Sequence, residues 1–183
     1  MIKTFPGMTV ETSQLTRGSS VALFDGIFAA GGITLSQVSN MTGLEPYLIQ
    51  NWVKRGFVSS PQKRLYSRGQ FARIVIINML RESLQIEKIC GLIRAIDGIP
   101  DDESDNLIRD DELYHRYVDM VATGDIQMSE PQSVLGAAVR VTEDFEETVP
   151  GAKKQLAKIL QIMLYAHAAS RLRGSAEELL SSL

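Results

Sequence analysis

Apolar positions recur at helical spacing along most of the chain, and polar breaks divide them into segments. The most informative segment runs from Leu35 to Lys54, LSQVSNMTGLEPYLIQNWVK. Leu35, Val38 and the small Ser39 can face inward before Gly43, and Leu44, Ile49 and Trp52 can do so after it. Ile49 and Trp52 are three residues apart and so share one helical face. The opposite face carries Tyr47, Gln50, Asn51 and Lys54 at i, i+3, i+4 and i+7. Gly43 stands where a tight turn needs a residue that tolerates positive φ. The pattern predicts a helix-turn-helix whose second helix has a buried stripe and a donor-rich outer stripe, as major-groove reading requires.

Residues 1–20 are rich in Thr, Ser and Gly and predict a loose arm docked by Phe5; Val21–Ala30 predicts a short helix ended by Gly31-Gly32. Thr34 with Gln37, and Ser67 with Gln70, have the spacing of capping boxes. Glu45-Pro46 opens the second helix of the motif and Gly56 closes it. In the stretch GFVSSPQKRLYS, Phe57-Val58 and Arg64–Tyr66 predict a small hairpin, a wing, with Gln62, Lys63 and Arg64 near its tip. Helices are predicted to follow from Ser67 to about Ser83, apolar nearly all round and therefore central, and over Ile86–Ile96. Further helices are predicted over Asp110–Thr123, Pro131–Glu147 and Ala152–Arg173, the last stopped by Gly174. The fold expected is mainly all-α: a winged helix-turn-helix followed by an α-helical C-terminal region. Its parts are an arm and short helix at 1–30, the DNA-binding domain at 31–97 and an acidic helical region at 98–183.

With 183 residues, 44% hydrophobic and 22% charged, the chain can bury a real core and reads as globular. The net charge of −3 conceals an asymmetry. From Pro46 to Arg81 there are seven cations and no acid. Residues 1–45 hold two bases and three acids, and the remainder holds 10 bases and 19 acids, so that −1 + 7 − 9 = −3. Binding to a polyanion follows the local field rather than the total charge, so a basic segment coinciding with a helix-turn-helix points to DNA. A single cysteine, Cys90, excludes an intrachain disulfide and a Cys-based zinc site within one chain. No signal-peptide pattern opens the chain, and no apolar run reaches the ~20 residues that span a bilayer. The expectation is a cytoplasmic protein with no membrane partner.

No nucleotide-binding, zinc-hydrolase or nucleophile-elbow motif occurs, so no enzyme, cofactor or metal is expected. His115 and His167 lack ligand spacing, and His167 and Cys90 read as core residues on apolar stripes. Asn78, inside the apolar helix, reads as a satisfied core polar group. Asp101, Glu103, Asp105 and Glu112 follow an EF-hand-like count, but Asn106 stands where the turn glycine belongs; an acidic solvated loop accounts for them.

Residues 33–96 resemble the MerR-type winged helix through QVSNMTGLEPYLIQNWVKRGFVSSP and KRLYS. The longer run from GGITLSQVSN to NWVKRGF, with RIVIINMLR and the DESDN and DDELY segments, is more closely similar to a bacterial family common in Firmicutes. That family is described as a domain of unknown function with a MerR-like helix-turn-helix. The resemblance covers about residues 31–120 and implies a DNA-binding transcription factor. Carried over position by position, it puts DNA contacts on Tyr47, Gln50, Asn51, Lys54, Arg64 and Tyr66; the neighbouring cations Arg55, Lys63 and Arg68 complete the expected set. Gln50 and Asn51 stand where MerR proteins usually show Arg and Tyr, and the family's heptad-patterned dimerisation helix is not evident after residue 97.

The leading functional expectation is a sequence-specific regulator binding double-stranded DNA as a homodimer on a pseudo-palindromic site. The dimer is inferred from the very apolar Ile159–Ala169 stretch. The alternatives are a protein-docking module built on the same fold, and a regulator whose helical region encloses a small-molecule effector.

Overall fold

A computed structural model describes residues 3–96, 106–147 and 149–183. The chain is mainly α-helical. Short antiparallel strands β1 (Lys3–Thr4) and β2 (Glu11–Thr12) form the arm, followed by α1 (Ser19–Ile27), β3 (Ile33–Thr34), α2 (Leu35–Thr42) and α3 (Pro46–Lys54). Then come β4 (Leu65–Tyr66), α4 (Arg68–Leu80), α5 (Ile86–Ile96), α6 (Asp110–Ala122), α7 (Pro131–Arg140) and α8 (Ala152–Ser181).

The capping signals act as their spacing predicts. Thr34 Oγ1 accepts from Gln37 N while Thr34 N donates to Gln37 Oε1 at 2.8 Å, and Ser67 and Gln70 repeat the arrangement at α4. Gly43 closes α2 at φ 70°, in the left-handed region where a Cβ is penalised. Helix α4 lies at the centre. Eight of its thirteen residues are buried, and it packs against α2, α6 and α8, which is why no single face of it is apolar. Phe24, Phe71, Tyr114 and Tyr117 are among the largest fully buried side chains. The buried residues form one continuous core from Phe5 to Ala166.

The arm is docked more firmly than its sequence predicts. Phe5 and Met8 are buried, Thr9 donates from N and Oγ1 to the carbonyls of Met41 and Asn40, and Tyr114 OH donates to Pro6 O at 2.8 Å. Asn78 is the joint: its Nδ2 donates to Gly7 O and Thr42 O, and its Oδ1 accepts from Arg81. Gly7 has φ +73° and lies so close to α4 that a Cβ there would sit 2.5 Å from Val75 O. Phe5 docks as its sequence predicts, whereas the hydrogen bonds that fix the arm run to backbone carbonyls and leave no mark on side-chain periodicity.

Three elements differ from expectation. Leu65–Tyr66 pairs antiparallel with Ile33–Thr34, not with Phe57-Val58, because Val58 is buried in the core instead. Helix α7 stops at Arg140 rather than Glu147: Arg116 of α6 donates to Val141 O at 2.6 Å and to Asp144 at 2.7 Å, drawing the chain out of helical register. Helix α8 passes through Gly174, which has no positive φ; a mid-helix glycine costs only about 1 kcal/mol. No helix among the described residues is long and apolar enough to cross a membrane. Asp101, Glu103 and Asp105 of the EF-hand-like count lie outside the described residues; Glu112 lies in α6 and pairs with Arg116 at 2.9 Å.

Candidate nucleic-acid interface

Helix α3 is divided sharply between its two faces. Ile49 and Trp52 are buried together with Leu44 and Val38, which locks α3 across the turn onto α2. Tyr47 is 65% exposed, and Gln50, Asn51 and Lys54 are exposed beside it. Among the described residues these four side chains make no hydrogen bond or ion pair, so their donors and acceptors face outward unused. Arg55 caps the helix C-terminus and lies with its guanidinium carbon 4.5 Å from the centre of the Phe57 ring. That contact holds the side chain while leaving its charge accessible.

The loop after α3 ends in a tight turn. Gln62 bridges to Leu65, Leu65 N donates to Gln62 O at 2.8 Å, and the central residues Lys63 and Arg64 have φ 49° and 66°. Positive φ at both central positions is the type I′ geometry, which strongly favours Asn-Gly. Two long cations sit there instead. No other non-glycine residue among the described ones has positive φ, and backbone strain of this kind concentrates where a site needs particular side chains. Both residues are exposed. Gln70 secures the base of this loop: its Oε1 caps α4 and its Nε2 donates to Ser59 O, Ser59 Oγ and Ser60 O, each at 3.0 Å.

Two of the nine positions expected to contact DNA are placed elsewhere. Tyr66 is 3% exposed, and burial raises its hydroxyl pKa. It is a core residue under β3 rather than a contact, because the register that pairs Leu65 with Thr34 turns Tyr66 inward. Arg68 reaches back into the helical body. It pairs with Asp25 at 2.6 Å and Asp111 at 3.1 Å and lies 3.2 Å from His115 Nε2. Arg73 likewise grips Asp110 through two nitrogens, and Arg81 pairs with Glu82. The seven cations of the acid-free segment therefore divide. Arg68, Arg73 and Arg81 are neutralised internally, whereas Lys54, Arg55, Lys63 and Arg64 have no acid partner among the described residues.

The Arg68 cluster joins α1, α4 and α6. His115 hydrogen-bonds Ser20 through Nδ1 at 2.9 Å, and its pKa is lowered by burial and by Arg68. A charged cavity of about 800 Å³ opens beside it, bordered by Arg17, Arg109, Asp111, Arg116 and Arg140. His167 on α8 meets Tyr117 OH at 2.7 Å, and burial, then Arg171, lowers its pKa to about 4. Cys90 is half-buried, with its thiol pKa raised chiefly by burial.

The model of a domain of unknown function, DUF1836, matches residues 26–117, just over half of the chain. The chain belongs to this family. The DUF1836 segment runs from the end of α1 into α6, and so contains the outer face of α3, the Lys63-Arg64 turn and, of the Arg68 cluster, Arg68, Asp111 and His115 but not Ser20 or Asp25. Comparison with curated proteins and with solved structures found no significant match.

Sequence reasoning missed the second role of Gln70 and the acids that claim Arg68. The Asp110-Asp111-Glu112 run was visible, but it reads locally as a complement to the helix N-terminus.

Proposed function

We propose that this protein is a sequence-specific transcriptional regulator that binds double-stranded DNA as a homodimer, through a MerR-like winged helix-turn-helix. The carrying observation is the division of α3. Its apolar stripe is consumed by packing on α2, and its outer stripe of Tyr47, Gln50, Asn51 and Lys54 is exposed and unpartnered. In this reading α3 enters the major groove. The amides of Gln50 and Asn51 carry the donor and acceptor pair that matches adenine N7 and N6, and Tyr47 offers an apolar ring edge. Lys54 and Arg55 neutralise phosphates, and the Lys63-Arg64 turn serves as the wing, touching the backbone beside the groove. Tyr66 and Arg68 support the interface from within and do not touch the duplex. A two-fold dimer presents two α3 helices to two half-sites, so the operator is a pseudo-palindrome.

The test is the double substitution Gln50→Ala/Lys54→Ala. Both positions are exposed, so helicity and melting temperature should stay at wild-type values. Affinity for the preferred duplex should fall at least roughly tenfold, since a good base-reading pair is worth about 1–3 kcal/mol. A wild-type protein with no duplex preference, or a double variant that binds as the wild type does, would contradict the proposal.

A further inference from the structure

The last helix carries an apolar seam that its own chain does not cover. Ile162, Tyr165, Ala169, Leu172, Ala176, Leu179 and Leu183 follow one another at alternating intervals of three and four residues, and all seven are exposed. Leu172, Leu179 and Leu183 are 73%, 70% and 103% exposed. Over the first half of α8 the opposite side is in the core, where Leu160, Met163, Leu164 and Ala166 are buried. From Arg171 onward every residue is exposed. Among the described residues, the extension is tied to the rest of the molecule by the ion pair of Arg173 with Glu82. A helical extension of this length is marginal in water without packing. A 3-4 apolar repeat sustained for three heptads is the seam that a second helix packs against.

We propose that the seam from Ile162 to Leu183 is a dimer interface, occupied by the same helix of a second copy of this chain running antiparallel. Two features make the seam self-complementary. Arg171 and Arg173 precede residue 174, and Glu177 and Glu178 follow it. Antiparallel packing about residue 174 therefore sets the cationic half of each helix against the anionic half of the other, whereas a parallel pair sets like charge beside like. The same register places Leu172 opposite the partner's Ala176 and Ala169 opposite the partner's Leu179, large against small. It also brings the partner's Leu183 onto Tyr165, covering the part of the seam that lies on the body. A membrane surface is a poorer occupant, because interfacial helices carry a basic polar face and this one is balanced between two arginines and two glutamates. The proposal extends the homodimer of the regulator reading and places its interface away from α3, so it is tested without DNA.

The measurement is the mass of the full chain in solution by sedimentation, for wild type and for Leu172→Glu/Leu179→Glu. The wild type should be a dimer at tens of micromolar. The double variant, altered only at exposed positions, should be a folded monomer, with any loss of helicity confined to the unpacked extension. A monomeric wild type, whether or not it binds lipid vesicles or another protein, overturns the proposal, as does a double variant that stays dimeric. Orientation is read independently from spin labels on Ser182→Cys in a Cys90→Ser background. Antiparallel packing about residue 174 separates the two labelled backbones by about 24 Å, sixteen residues of helical rise. A separation of about 10 Å, one helix diameter, would mean a parallel pair and overturn the antiparallel arrangement.

Discussion

The cations of α3 and its loop, and the cations of α4 and α6, are the same residue types in opposite circumstances. Arg68, Arg73 and Arg116 lie among acids at 2.6–3.1 Å and tie helices together. Lys54, Arg55, Lys63 and Arg64 stand clear of any acid among the described residues, two of them on a backbone that favours neither. A positive charge inside an ion-pair cluster is a structural joint with little field left for a ligand. An unpaired one on a rigid, exposed element is available to a polyanion. The acid-free run from 46 to 81 is thus two populations, and only the first fits a binding face.

The largest effect that would break this comparison comes from the paired set. Asp111→Ala removes a carboxylate whose side chain is only 10% exposed and leaves Arg68 with the solvent-facing Asp25. Loss of this partly buried charge-assisted contact costs about 2–3 kcal/mol, so the thermal midpoint should fall by about 4–12 °C. Duplex affinity, measured well below the transition, should not change. An unaltered midpoint would mean that the cluster is not the joint described here.

Acid should act on the same helical body. His167 is held neutral in the folded chain with a pKa near 4 by burial and Arg171, and burial shifts His115 the same way. A histidine whose folded pKa lies below its unfolded value near 6.5 contributes stability at neutral pH. That stability is lost as pH falls from about 6.5 toward the folded pKa, because the unfolded chain takes up the proton first. For His167 the loss between pH 7 and pH 5 is about 2 kcal/mol. Denaturant unfolding of wild type and His167→Gln at the two pH values checks it: the variant should lose that part of the slope.

The smallest effect sharpens the comparison most. Replacing the turn by Lys63→Asn/Arg64→Gly installs the residues that type I′ geometry prefers. Stability should rise by about 1 kcal/mol as left-handed strain is relieved. Duplex affinity should fall, and the salt dependence should flatten by roughly two counterions per protomer. A variant that gains stability and keeps its salt dependence would show that the strained cations do not meet phosphate.

The legible features were those set by short-range spacing. Thr34 with Gln37 and Ser67 with Gln70 lie one turn apart and cap as expected, and the apolar run of α4 announces a central helix. The two faces of α3 are likewise written at i, i+3, i+4 and i+7. Long-range features were not legible. Asp25 and Asp111 each lie 43 residues from Arg68, one on either side, so nothing local to Arg68 distinguishes it from Arg64. Strands of two residues have no periodicity, which hid both the pairing of Leu65 with Thr34 and the burial of Tyr66. Gly174 reads as a stop signal, yet a glycine stops a helix only where the chain turns to positive φ.

The most direct test of the central claim is selection of preferred sequences by the purified protein from a random duplex library, with the winning site then titrated at two salt concentrations. The account predicts a two-fold symmetric motif. It also predicts affinity falling steeply with salt, at a slope of log K against log salt of roughly −7 if all four free cations on each protomer meet phosphate. No enriched motif, with only weak salt-sensitive binding, would contradict it and leave the exposed face of α3 to a protein partner.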